Sequence, residues 1–432
     1  LRGLHSAPDG SDQRGNAGLG RGRDFPTGRA GVPDSMEDTL GLDSAQSSDE
    51  QAHPRAMAGQ DESVDNSSQH LPDGAGIPGQ GPSRPSGQQP DSSNRAGSSG
   101  GSASNERRSV DANVAAVRIA VDVRDNQRSA TNEEFETLRN YRSWGSFPQV
   151  FNESDSTYES QRNELKQLLS TDEYASARDT ITTAFYTPPA ISSAMWQGLE
   201  TAGFSQGRVL EPGVGTGGFV ASAPDNAHMV GIERDAMSAL IANALYPQAQ
   251  IRHEDFTETN AADNSFDATI GNVPFSQVQP YDPARNRAGL STHNYFISKS
   301  IDLTAPGGYI AVVTSQHSAD SAGRGKTSAQ QLLTDRADFI TGARLPGGKN
   351  GAFADYAGTE AGTDVLVFRK REDGQEPTAR TLQFRSKVTI EQGDTAKTIN
   401  AFFAENPENV LGTWEEVSGR FGKELAVQAQ PD

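Results

Sequence analysis

The sequence predicts an α/β protein built on a mainly parallel sheet, and three observations carry that reading. Short apolar runs recur at 208–210, 229–233, 250–253, 266–271, 308–314, 339–345 and 364–369. Segments with helical spacing, notably 235–245 and 294–303, separate several of them. The first run leads into the glycine-rich stretch Gly213-Val214-Gly215-Thr216-Gly217-Gly218. Seven runs set the width of the sheet, and the later ones leave room for an antiparallel edge.

The elements follow in order. Residues 1–108 are rich in Gly, Ser, Pro and Asp, and Phe25 is their only aromatic residue. They have little to bury against the entropy cost of ordering and read as a disordered linker. Order is expected near Ser109. Residues 110–124 space Val, Ala and Ile at helical intervals, and Thr131 with Glu133 and Glu134 opens a second helix over 132–141. Residues 155–178 are amphipathic and suggest one or two more, so 109–180 reads as a helical N-terminal extension. The sheet domain spans 181–371, with Pro306-Gly307-Gly308 as a turn before a strand. Beyond 371 the alternation is lost, and 399–403 and 410–414 are apolar islands in polar surroundings. Residues 372–432 therefore read as a loosely attached tail or the lead-in to a further domain.

The formal net charge is −19, and residues 1–107 hold 15 acidic against 9 basic side chains. The acidic excess thus lies mostly in the folded part, unlike a protein that grips phosphates alone. There are no cysteines, which excludes disulfides and thiolate metal sites, and the histidines lack partners at metal-ligand spacing. No signal peptide and no bilayer-spanning apolar run is legible, so a cytoplasmic protein without membrane contact is expected. Leu1 in place of an initiator Met suggests a piece of something larger.

The glycine stretch can admit a ligand close to the backbone. Gly213, Gly215 and Gly218 satisfy the dinucleotide fingerprint, and Glu233 follows about 20 residues on, where a ribose-binding acid belongs. The glycines alone do not separate NAD from S-adenosylmethionine. Glu211 helps: an anion ahead of the loop would repel a pyrophosphate and attract a methionine ammonium. Asp255 after the third run can accept from an adenine amine, and Phe256 can pack on the base. The plain alternative is a strand-turn-helix whose glycines serve packing.

Gly271-Asn272-Val273-Pro274-Phe275 ends the fourth run, where doubly wound sheets place their chemistry. An exocyclic aromatic amine is a poor nucleophile because its lone pair is delocalised. Two acceptors aimed at its hydrogens favour the attacking form, and the Asn272 side-chain oxygen and Val273 carbonyl can serve. Pro274 stiffens the turn and Phe275 can stack on a base swung out of a duplex. The plain alternative is a tight turn with Phe275 in the core. Tyr295 and Phe296, opening a helix, read as core. Gly325-Lys326-Thr327 lacks the glycine a phosphate loop needs, since Asp320 stands there. Arg324, Lys326 and Arg336 read as a solvated face.

Taken in order, these segments resemble the amino-group DNA methyltransferases, specifically the N6-adenine methylase domain fused to a helicase in proteins of phages, plasmids and conjugative elements. The likeness covers about residues 109–415. It takes in Ala184-Phe185-Tyr186-Thr187-Pro188-Pro189, Trp144-Gly145, Ala177-Arg178, His293-Asn294-Tyr295-Phe296, Ala343-Arg344-Leu345-Pro346, Gly358-Thr359-Glu360 and Val410-Leu411-Gly412. The resemblance implies a Rossmann-like, S-adenosylmethionine-dependent fold with a seven-stranded sheet. It assigns Phe185, Tyr186 and Thr187 to the methionine side, and Glu211, Gly213 and Gly215 to the cofactor. Glu233 falls to the ribose, and Asp255 with Phe256 to the adenine. Asn272, Val273, Pro274 and Phe275 become the catalytic turn. It implies DNA as partner, with help from another domain such as a helicase in the same polypeptide. Val273 replaces the more usual proline of the wider class, and Ser146 stands where a second glycine is common.

Overall fold

A computed structural model describes residues 99–145, 147–179, 186–321, 328–419 and 422–430. The expected helical extension begins it. Helix α1 runs Ser99–Asp125, α2 Asn132–Arg139, α3 Glu159–Leu168 and α4 Thr171–Asp179. Helix α1 starts ten residues before the expected onset, because Gly and Ser extend a helix whose stability comes from the packed part downstream. Val110, Val114, Val117 and Val121 fall on one buried stripe of it. A capping box between Thr131 and Glu134 starts α2.

Helix α5 (Pro189–Ala202) opens with a proline and ends at Gly203 in the left-handed region. The seven expected strands all form: β1 Gly207–Pro212, β2 Ala227–Glu233, β3 Gln250–His253, β4 Phe266–Asn272, β5 Thr304–Ser315, β6 Ala337–Leu345 and β7 Thr363–Lys370. Between them lie α6 (Ala236–Leu245), α7 (Thr292–Leu303) and the short α8 (His317–Asp320), α9 (Ala329–Thr334) and α10 (Ala354–Ala357). The sheet order is β3-β2-β1-β4-β5-β7-β6. Strands β1 to β5 pair in parallel, and β7 runs antiparallel to both β5 and β6, which is the antiparallel edge. Four consecutive buried residues in β1 and in β2 mark strands covered on both faces. The extension packs on α6, sharing one apolar cluster with Met237, Ile241 and Leu245.

Two expectations change. Pro306-Gly307-Gly308 lies inside β5, where the register with β4 shifts between Phe266 and Ala268, so it is a bulge rather than a turn. The segment after 371 is not a loose tail. Helix α11 (Ala379–Phe384), the hairpin β8 (Lys387–Gln392) and β9 (Thr395–Asn400), helix α12 (Ala401–Glu405) and the hairpin β10 (Thr413–Gly419) and β11 (Gly422–Gln428) form a small module. Phe384 stacks on Phe339 of β6 at 4.1 Å, and Phe402 meets the same ring edge-on at 4.9 Å. Phe384, Ile399, Phe402 and Phe403 are all buried with them. Burying several aromatic rings against the sheet outweighs the polar composition of the connecting chain.

Candidate cofactor and amine site

The strand order reverses direction at β1 and β4, and their carboxyl ends carry the two diagnostic segments side by side. Glu211 is the penultimate residue of β1, in register with Gly231 of β2. A Cβ at Gly271 of β4 would lie 3.4 Å from Glu211 Cγ, which sets the ends of β1 and β4 side by side. Glu211 is 1% exposed and its Oε2 has no hydrogen-bond partner among the described residues. Burial, then the neighbouring Glu233, hold its carboxyl well above the usual range. A buried acid with an idle oxygen is costly unless a ligand completes it.

Glu233 ends β2. Its carboxylate accepts from the Gly215 amide at 2.8 Å and the Asp235 amide at 2.7 Å. Burial pushes it up to about 7, against the pull of those amides. The loop itself needs its glycines: Gly215 has φ +55° with the Tyr186 ring 3.1 Å from where a Cβ would sit. Gly217 has φ +87° with the Tyr246 ring 2.5 Å away from such an atom. Thr187 is buried, and its carbonyl lies 3.8 Å from a Cβ placed on Gly218. Tyr186 and Thr187 thus meet the glycine loop, and Phe185 lies outside the described residues.

A Cβ at Gly213 would approach the Asn272 carbonyl at 3.8 Å, which joins the loop to the turn. Asn272 is the last residue of β4, in register with Val313, so the turn begins inside the strand. The Val273 amide still donates to the Val313 carbonyl at 3.1 Å and its side chain is buried. Phe275 is 38% exposed, which removes the core alternative for it. Asp255 is half-buried and accepts from the Thr257 amide and hydroxyl. Phe256 is 3% exposed and packs on Phe296 at 4.8 Å, so it is a core ring.

Tyr141, Asn113 and Lys299 carried no signal in the sequence, and Trp144 entered only through the family likeness. Tyr141 and Trp144 are 1% exposed, edge-on at 6.2 Å, and nearby Tyr186, Asp235 and Glu233 add to burial in raising the Tyr141 phenol. Asn113 of α1 fixes their loop, donating to the Ser143 carbonyl and accepting from the Arg142 amide. Lys299, 2% exposed, donates to the Phe256 carbonyl at 2.6 Å and lies 3.4 Å from Asp282. Arg336, read as a solvated face, donates to Ser298 and pairs with Asp302. Among the described residues no helix is long and apolar enough to cross a membrane.

The family model for N-6 DNA methylases matches residues 167–430. The chain belongs to that family. Defense against restriction protein B of Escherichia phage P1 is 27% identical over 243 residues, 55% of this chain and 10% of that protein. The type I restriction enzyme EcoEI methylase subunit of Escherichia coli is 26% identical over 221 residues, 44% of this chain and 43% of that protein. The chain thus spans less than half the length of either. Among solved structures, the N-methyltransferase NodS of Bradyrhizobium japonicum is 14% identical over 42% of this chain and 96% of that one, with a TM-score of 0.30. TrmN of Thermus thermophilus is 14% identical over 42% and 48%, with a TM-score of 0.28. The cofactor of the N-6 DNA methylases is S-adenosylmethionine, and the residues present fit it. The idle oxygen of Glu211 suits an ammonium, and Gly213, Gly215 and Gly217 hold the loop in a positive-φ turn beside it.

Proposed function

We propose that this chain transfers a methyl group to the N6 amine of adenine in DNA. The observation that carries the reading is the adjacency of a buried, incompletely bonded acid on β1 and the Asn272 turn on β4. When bound, S-adenosylmethionine supplies a methyl group on a positively charged sulfur. Glu211 holds the ammonium end, with Tyr186 and Thr187 beside it, Glu233 faces the ribose, and Asp255 with Phe256 the adenine. The Asn272 oxygen and the Val273 carbonyl accept hydrogen bonds from the two N–H groups of the target amine and free its lone pair, and the proton shed on methylation passes to solvent. Phe275 stacks on the extruded base and Pro274 fixes the angle. A further domain of the same polypeptide, a helicase in the family this chain resembles, supplies the grip on DNA that a net charge of −19 does not.

The test is labelled methyl incorporation into duplex DNA. Asn272→Ala is expected to lower it on the order of a hundredfold or more, as loss of a polar group aimed at the reacting atoms does. Equal incorporation by both proteins would sink the mechanism. A second reading is a silent, anti-restriction module, favoured by the acidic balance and by the name of the phage P1 relative. Tight cofactor binding without turnover on DNA would select it.

A further inference from the structure

The segment after the catalytic turn is built to hold one aromatic ring out in solvent. Tyr281, six residues past Phe275, is 87% exposed, and Val278 is 69% exposed. The chain around them is nevertheless firmly tied. The Pro280 carbonyl accepts from the Asn286 side chain at 2.9 Å. Asn286 also donates to the Leu290 carbonyl and accepts from the Leu290 amide at 2.8 Å. On the other side, Asp282 accepts from the Tyr295 hydroxyl at 2.7 Å and from the Ala284 and Arg285 amides. The Val278 carbonyl accepts from the Thr292 amide at 2.8 Å, at the start of α7.

An exposed aromatic on a floppy loop is ordinary. Here both flanking residues are anchored, Tyr295 and Lys299 beneath them are fully buried, and the Tyr281 ring and Val278 are left exposed. The exposed Arg287 stands on the same loop, a cation in a protein that is otherwise acidic. Aromatic and apolar side chains held out on an anchored loop are suited to insertion between base steps, and an Arg on the same loop to the backbone phosphate.

We propose that Tyr281 is a wedge that enters the base stack of duplex DNA, occupying the space the target base vacates, with Val278 beside it. This rests on the DNA reading above. It makes Tyr281 a positioning residue that acts on the duplex rather than on the reacting atoms. Such a ring binds best where the stack is already open.

The experiment measures binding of the full chain to mixed-sequence duplexes, fully paired or carrying one abasic site. The wild-type protein is expected to prefer the abasic duplex by about five- to a hundredfold, the range a base–aromatic stack supplies. Tyr281→Ala should bring that preference close to one, and Tyr281→Phe should keep it. Thermal unfolding of both variants should match the wild type, because the ring is exposed. A wild-type protein without the preference, or a Tyr281→Ala variant that retains it, overturns the wedge. Methyl incorporation into the same duplexes separates the two claims. Loss of transfer with the preference intact would remove the proposed reaction and leave the wedge.

Discussion

Glu211 and Arg344 are both buried ionisable side chains at the penultimate position of a strand in one sheet, β1 for the first and β6 for the second. Their surroundings are opposite. Arg344, fully buried, donates to both oxygens of Asp364 at 2.9 and 2.8 Å and to Asp320 at 2.9 Å. Its guanidinium also lies over the Phe403 ring at 4.3 Å. Glu211 has a second acid as its main electrostatic neighbour and an oxygen with no partner among the described residues. One is faced by two carboxylates, with only its Nη1 lacking a partner among the described residues, and joins the C-terminal module to the sheet. The other is left for a ligand to complete. Burial alone therefore does not mark a site; burial without a counter-charge does.

That contrast can be broken by substitution, and the largest effect should come from the completed pair. Asp364→Asn leaves Arg344 buried with one carboxylate fewer, and is expected to lower stability by about 3–5 kcal/mol in chemical denaturation. Cofactor affinity of the folded fraction should not change. Glu211→Gln should do the reverse. Affinity for S-adenosylmethionine should fall about ten- to a hundredfold in calorimetry, the loss of a charge-assisted contact, with stability held or raised. If Glu211→Gln lowers stability as Asp364→Asn does and the folded fraction binds as well as wild type, the two groups play the same role and the contrast fails.

The pH dependence sharpens the same point. The Glu211 carboxyl is raised in the folded protein, so it keeps its proton to higher pH than in the unfolded chain. Its ionisation therefore lowers stability as pH rises through the folded value, and Glu233, pushed up to about 7, acts in the same direction. A bound ammonium favours the ionised acid. The affinity advantage of wild type over Glu211→Gln should grow as pH rises through the acid's raised value, and a flat ratio would count against the assignment. The smallest effect concerns the module alone. Thr378 caps α11 by accepting from the Thr381 amide, and Thr378→Ala should cost about 1 kcal/mol with cofactor affinity untouched.

The sheet was legible because buried parallel strands are continuous apolar runs, and Val209, Leu210, Ile232 and Ile270 announce them. Glu211, Glu233 and the Asn272 turn were legible because their spacing follows the strands. The module was not. Phe384, Phe402 and Phe403 sit in segments too short for periodicity, and their partners Phe339 and Phe368 come from distant strands. Tyr141 and Lys299 were missed for a related reason. Each lies in a helix or loop far along the chain from the site it supports, and its residue type is common on helices. Tyr281 gave no signal either, since only exposure distinguishes it.

The position of β7 bears on how the chain can be assembled at all. Strand β6 touches the sheet only through β7, which comes after it in the chain. A growing polypeptide can place β1 to β5 in turn, but β6 has no edge to join until residues near Lys370 have been made. Its Phe339 then waits longer still, for Phe384 and Phe402. The stretch from Ala337 to Leu345 is therefore the exposed liability of synthesis, an apolar strand held open while its neighbours arrive.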